Sequence, residues 1–279
     1  MDSVFGEPGP AFSRKGLPQP VAKGGKSALA RFSIYGFFSK NYPSRIDPRK
    51  HLLNIDFVKI EPGSRLLFIG DSVTDCDRAR PVGAGSHAAL GHGYVAVVDS
   101  ALAAGDVSPA IRISNMGISG NTIRDLSSRW DTDVLALRPD WLSVMIGIND
   151  VWRQFDGVDA SAAVMPDEFE RVYDRLISRT LPRLKGLVIL SPYYVQAART
   201  DPLRSRMDEY GAIAKRVAGR HGAIFVDVQA ALDKALASTD YAAIAGDRVH
   251  PTPLGHRLLA GALLGAIGFI VRWRKNPAV

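Results

Sequence analysis

The chain has 279 residues, 46% of them hydrophobic and 23% charged, with a formal net charge of +7. That length fits one large α/β domain with an appendage as well as two domains, and the composition excludes a fibrous or wholly disordered protein. The charge excess is local: residues 1–60 hold ten Lys/Arg against four Asp/Glu, a net +6, and the rest holds 25 against 24, a net +1, so no broad nucleic-acid-binding face is expected.

Residues 1–60 also contain six Pro and six Gly, with a small aromatic cluster of Phe32, Tyr35, Phe37 and Phe38. They are expected to form a loosely ordered basic extension ahead of a domain over 61–279. A transit peptide, basic and poor in acid, is a second reading of the same segment. Gly25-Lys26-Ser27 looks like the end of a phosphate-binding loop, but Pro20 stands where that motif requires Gly, which rules it out. The single cysteine, Cys76, cannot form an intramolecular disulfide, which favours the cytoplasm. The longest uncharged apolar run, Ala260 to Val271, spans about a dozen residues where a bilayer needs roughly 20, so no transmembrane segment is expected.

From Leu66 onward short apolar runs alternate with helix-length amphipathic stretches, the pattern of βαβ units on a parallel sheet. Strands are expected over 66–69, 111–114, 142–146, 187–190 and 224–228, with helices near 93–104, 121–137, 168–184, 203–219 and 253–268. Thr252 as N-cap and Pro253 at the first helical position mark the start of the last helix. The expected fold is a three-layer α/β/α sandwich around a five-stranded parallel sheet. In such sheets chemistry gathers beyond the carboxyl ends of the strands, here in the loops starting near Gly70, Asn115, Gly147, Ser191 and Asp227.

The first of these loops, Gly70-Asp71-Ser72-Val73-Thr74-Asp75, sets a small hydroxyl at a tight strand-to-helix turn, where it serves either as a nucleophile or as an N-cap. The second, Asn115 to Thr122, carries glycines that let the backbone approach a bound group. The third, Gly147-Ile148-Asn149-Asp150, ends in a side-chain amide able to donate to an oxyanion or to form an Asx turn. Of the six histidines, His250 has a carboxylate three residues before it, Asp247, in a turn that can bring the two together as a catalytic dyad or as a surface ion pair. His256 and His221 sit on helices and read as structural. Cys76, His87 and His92 lack a fourth ligand at zinc-like spacing, so no metal site is expected.

Together, Gly70-Asp71-Ser72, Gly120, Gly147-x-Asn149-Asp150 and Asp247-x-x-His250, in this order, resemble the SGNH (GDSL) esterase and lipase superfamily over residues 65 to about 270. The longer blocks, Leu67 to Cys76, Gly117 to Thr122, Met145 to Gln154 and Val226 to Ala231, are most similar to its intracellular acetylxylan esterases, with Val73 where Ile is commoner. The resemblance implies the flavodoxin-like SGNH fold, with Ser72 as nucleophile, His250 as general base and acid, and Asp247 as orienter of the imidazole. The implied oxyanion hole comprises the Ser72 and Gly120 N–H groups and the Asn149 side chain, with no metal or organic cofactor. Homo-oligomers, too, are implied only by the resemblance. Asp71, Trp152, Arg153, Gln154, Tyr193 and Tyr194 are expected to meet the substrate, aromatic faces and planar donors suiting sugar rings, although ordinary packing accounts for an aromatic residue equally. No long apolar insertion is present to cover a fatty chain, which favours a short acyl group. The expected activity is removal of O-acetyl groups from xylo-oligosaccharides or related sugars. The alternatives are a general short-chain esterase or lysophospholipase and, in another class, binding of an anionic polymer or membrane surface through the basic extension.

Overall fold

The computed structural model describes residues 59–105, 107–157 and 160–269. The extension read over 1–60 lies outside them except for its last two residues. There the Lys59 N–H donates to the Ile267 carbonyl at 2.8 Å and Ile60 is buried.

Five parallel strands make the sheet: β1 (Arg65–Gly70), β3 (Arg112–Asn115), β4 (Trp141–Met145), β5 (Gly186–Leu190) and β6 (Ile224–Val226). A sixth, β2 (Gly83–Ala84), pairs antiparallel with the end of β3, giving the order β2-β3-β1-β4-β5-β6. The expected purely parallel five-stranded sheet is corrected by this two-residue edge strand, which is too short to show any period in sequence. The helices are α1 (Ser72–Asp75), α2 (Tyr94–Ala104), α3 (Ile123–Trp130), α4 (Ile148–Trp152), α5 (Pro166–Thr180), α6 (Pro202–Arg220), α7 (Val228–Leu236), α8 (Tyr241–Ile244) and α9 (Pro253–Ala266). The single helix expected over 121–137 is α3 followed by a π-helical turn, Asp131–Leu135. The last helix begins as expected, with Thr252 capping the Gly255 N–H and Pro253 in the first turn.

Strand side chains alternate between two cores because consecutive Cβ atoms leave opposite faces of a sheet. Leu66 and Phe68 of β1 join Met145, Val188, Leu190 and the inner faces of α2 and α9, whereas Leu67 and Ile69 join Leu142, Val144, Leu187, Ile189 and α3, α5 and α6. Both faces are buried, so the central strands read as nearly continuous apolar runs, broken in β4 only by Ser143.

Gly70 lies in register with Met145, Met145 with Leu190, and Leu190 with Val226, while Phe68 pairs with Asn115. The strands therefore end at one edge of the sheet. Strand order reverses about β1, the place where doubly wound sheets open a crevice, and the loops after β1, β3 and β4 meet there.

Candidate active site

The turn after β1 is built around Asp71. Its Oδ1 accepts the Val73 N–H at 3.0 Å and caps α1. The cap reading of Ser72 is thus corrected: Asp71 holds that role, Ser72 becomes the first helical residue, and its Oγ lies 3.0 Å from His250 Nε2. Asp71 is buried below the turn, not presented to a substrate as expected. Burial pushes its carboxyl up to about 7, against the pull of the Val73 N–H and the nearby His250 and Arg129.

The histidine comes from the turn between α8 and α9. Asp247 Oδ1 accepts the backbone N–H groups of Val249 (2.9 Å) and His250 (2.7 Å), and its Oδ2 lies 2.7 Å from His250 Nδ1. With a proton on Nδ1 donated to Asp247, Nε2 is left to accept from the Ser72 hydroxyl. The hydrogen bond to Asp247 raises the imidazole pKa above its ordinary 6.5 despite burial. For Asp247, burial is outweighed by its bonds from the His250 ring and from the His250 and Val249 backbone, which hold the carboxyl at about 2. Both side chains remain more than half exposed, 58% for His250 and 56% for Asp247, so the site opens directly to solvent.

The loop after β3 is fastened from every side by groups the sequence reading did not single out. Asn115 donates to the Thr74 and Leu90 carbonyls and accepts from the Gly117 N–H. Asp75 accepts from the Ser119 N–H and Oγ–H, both at 3.0 Å, and from Arg80 in a forked pair. Arg78, almost wholly buried, donates to the Gly117 carbonyl, and Arg129 donates to the Met116 and Gly70 carbonyls and to Asn121 Oδ1. A side chain at Gly117 would run into the Asp75 backbone, and Gly120 adopts φ +82°, so both positions require glycine. The loop after β4 completes the bracing. Asn149 Nδ2 donates to the Asn121 carbonyl at 2.9 Å and Asp150 Oδ1 accepts the Ile123 N–H at 2.9 Å. Asp150 is fully buried, its Oδ2 finds no partner, and burial pushes its carboxyl up to about 8. Among the described residues neither the Ser72 nor the Gly120 N–H has a hydrogen-bond acceptor.

The remaining expected contacts divide. Trp152, 39% exposed, stands on α4 three residues after Asn149, and half-buried Arg153 pairs with Asp156 at 3.1 Å. Gln154 faces inward, donating to the Asp150 and Val164 carbonyls and to the Tyr210 hydroxyl. Tyr193 is buried, its hydroxyl donating to the Val249 carbonyl at 2.8 Å. Both are corrected from substrate contacts to braces of the loops that bear the site. Tyr194 is half-buried, its N–H donating to Gln229 Oε1. His256 accepts the Tyr94 N–H, and His221 pairs with Asp174 of α5. Among the described residues no three His, Cys, Asp or Glu side chains group to hold a metal, and no helix is long and apolar enough to cross a membrane. A cavity of about 500 Å³ beside β2 and β3, reaching His87 and Asp99, contains none of the residues of the Ser72 site.

Residues 68–258 match the GDSL-like lipase/acylhydrolase family. The chain is 50% identical over 213 residues to an acetylxylan esterase of Geobacillus stearothermophilus, spanning 76% of this chain and 97% of that protein. The crystal structure of that esterase matches with a TM-score of 0.75 over 77% of this chain and all of that one. Structures of its catalytic mutants, at a serine, an aspartate and a histidine, match equally well. An alpha/beta hydrolase from the metagenome of Lake Arreo, Spain, is 46% identical with a TM-score of 0.74, covering 76% of this chain and 98% of that one.

Proposed function

The chain belongs to the GDSL-like lipase/acylhydrolase family and is a carboxylic ester hydrolase; on that premise we propose that it removes O-acetyl groups from xylo-oligosaccharides or related acetylated sugars, with Ser72 as nucleophile. The observation that carries this reading is the unbroken hydrogen-bond chain Asp247–His250–Ser72, at 2.7 and 3.0 Å. Ser72 Oγ attacks the acetyl carbonyl while His250 Nε2 takes its proton, and Asp247 steadies the imidazolium that forms. The tetrahedral oxyanion is received by the Ser72 and Gly120 N–H groups and by the second amide hydrogen of Asn149, whose first is engaged by Asn121. Collapse expels the sugar alkoxide, protonated by His250. Water, activated by the same imidazole, then releases acetate.

Two features support the substrate class. The serine and histidine lie at an open surface reachable by a bulky alcohol, with the exposed indole of Trp152 nearby in sequence to Asn149. The chain carries no long apolar insertion able to cover a fatty chain, which favours a short acyl group. The lone Cys76 supports a cytoplasmic location, and the family resemblance supports a homo-oligomer. Hydrolysis of p-nitrophenyl acetate and acetylated xylobiose by wild type and Ser72→Ala tests the reading. Serine-dependent acetate release from both is expected, falling by about 10⁴-fold or more in the variant. Activity on the synthetic ester alone would move the natural alcohol elsewhere, and rates that hold as the acyl chain lengthens from two to eight carbons would favour the lysophospholipase alternative.

A further inference from the structure

Arg248 stands between Asp247 and His250 and adopts φ +68°, the left-handed region that an L side chain other than Asn or Asp rarely enters. With the backbone reversed there, Asp247 Oδ1 accepts the Val249 and His250 N–H groups at 2.9 and 2.7 Å. Glycine would satisfy that backbone more easily, so the presence of arginine requires another reason, and the reason is in its contacts. Its carbonyl accepts the Val195 N–H at 2.9 Å while its Nη1 donates back to the Val195 carbonyl at 3.0 Å. On its other side the guanidinium lies 3.8 Å from the centre of the Tyr241 ring, in cation–π contact. Val195 is fully buried in the segment leading away from β5, so the residue gripped by Arg248 is anchored in the core. The neighbouring Tyr193 hydroxyl holds the next carbonyl of the turn, that of Val249.

We propose that Arg248 is a positioning residue for ester hydrolysis: it clamps the left-handed turn between the Val195 backbone and the Tyr241 ring, so that His250 Nε2 stays over the Ser72 hydroxyl. This rests on the serine-hydrolase reading of Ser72, His250 and Asp247. The strain of the turn is held by side-chain contacts that glycine could not make, which is the usual way a strained conformer persists at a working site. Because Arg248 acts on the imidazole and not on the substrate, its loss lowers turnover and leaves binding alone.

The test compares Arg248→Gly, which keeps the backbone free to reverse but removes the clamp, with Arg248→Lys, which retains a cation and a donor, on p-nitrophenyl acetate. A small displacement of a reacting group costs up to about 10²-fold, so kcat of Arg248→Gly is expected to fall roughly 10- to 100-fold with KM within about twofold, and Arg248→Lys to recover most of the loss. Circular dichroism and thermal melting of each variant show whether the loss tracks unfolding. Arg248→Gly with wild-type kcat, a loss matching the unfolded fraction, or a change confined to KM would each overturn the proposal. Ser72→Ala in the same assay separates the two ideas: if it stays active the serine reading fails, and if it is dead while Arg248→Gly is fully active only the clamp fails.

Discussion

The two halves of the site are held in opposite ways. The half that would receive the oxyanion, the loops after β3 and β4, is fixed by buried polar side chains: Asn115, Asp75, Arg78 and Asp150 are each almost wholly buried and each bonded to backbone of those loops. The half that would move the proton lies in the open, with Asp247 and His250 more than half exposed and steadied by backbone bonds across one turn. The contrast has a physical sense. Oxyanion donors act by being already in place, since any reorganisation at the moment of reaction subtracts from their effect, whereas an imidazole that must exchange protons with a leaving alcohol and a water needs access to solvent.

Substitutions on the two halves should therefore fail differently. After Ser72→Ala the largest effect is expected for Asn149→Ala, which removes an oxyanion donor and should lower kcat by about 10²- to 10³-fold, with some loss of melting temperature because the Asn121 carbonyl loses its partner; full turnover would take Asn149 out of the hole. Asp75→Ala comes next. It strands the Ser119 N–H beside Gly120 and releases the Arg80 pair, so both turnover and stability should drop, the latter by about 1–3 kcal/mol; a stability loss with unaltered kcat would show that the loop keeps its shape without this brace.

On the exposed half the expected signature is in pH. The imidazole must be neutral to accept the serine proton, and Asp247 raises its pKa above 6.5, so kcat/KM should climb through a pH higher than that of an unperturbed histidine. In Asp247→Asn the residual activity should titrate at lower pH. An unshifted limb would uncouple the pair.

The remaining effect is read in stability and concerns Asp150, whose carboxyl is pushed up to about 8 by burial. A raised carboxyl favours the folded state only while protonated, so its cost appears as pH rises from the unfolded value near 4 and is complete above about 8. Asp150→Asn, which keeps an acceptor for the Ile123 N–H, should gain in melting temperature relative to wild type at pH 9 and gain little at pH 5. Equal shifts at the two pH values would mean that the carboxylate is not buried in charged form.

The five parallel strands were legible to within two residues at either end, because an apolar run buried on both faces writes itself in local sequence; β2 was not. The start of the last helix was legible too, as was the pairing of Asp247 with His250 across one turn. α1, α4 and α8 were not. Helices of four or five residues make too few internal bonds to stand on propensity and exist because the sheet edge and caps such as Asp71 hold them. α7, nine residues long, passed unnoticed for another reason: its first residue, Val228, continues the apolar run of β6, so the strand read over 224–228 absorbed its start. Gln154 and Tyr193 follow motifs that suggested a pocket mouth, yet both point inward, since a one-residue step on a short helix or loop changes the face a side chain meets.

By itself the sequence determined the order of the five parallel strands and the longer helices between them, the buried stripes and which residue types of an ester hydrolase are present, since all of these follow from local periodicity and short motifs. Tertiary structure alone decided which of its charges became internal. Asp75, Arg78, Arg129 and Asp150 look like ordinary loop and helix charges along the chain, and they acquire their work only when distant carbonyls and N–H groups are brought within about 3 Å of them.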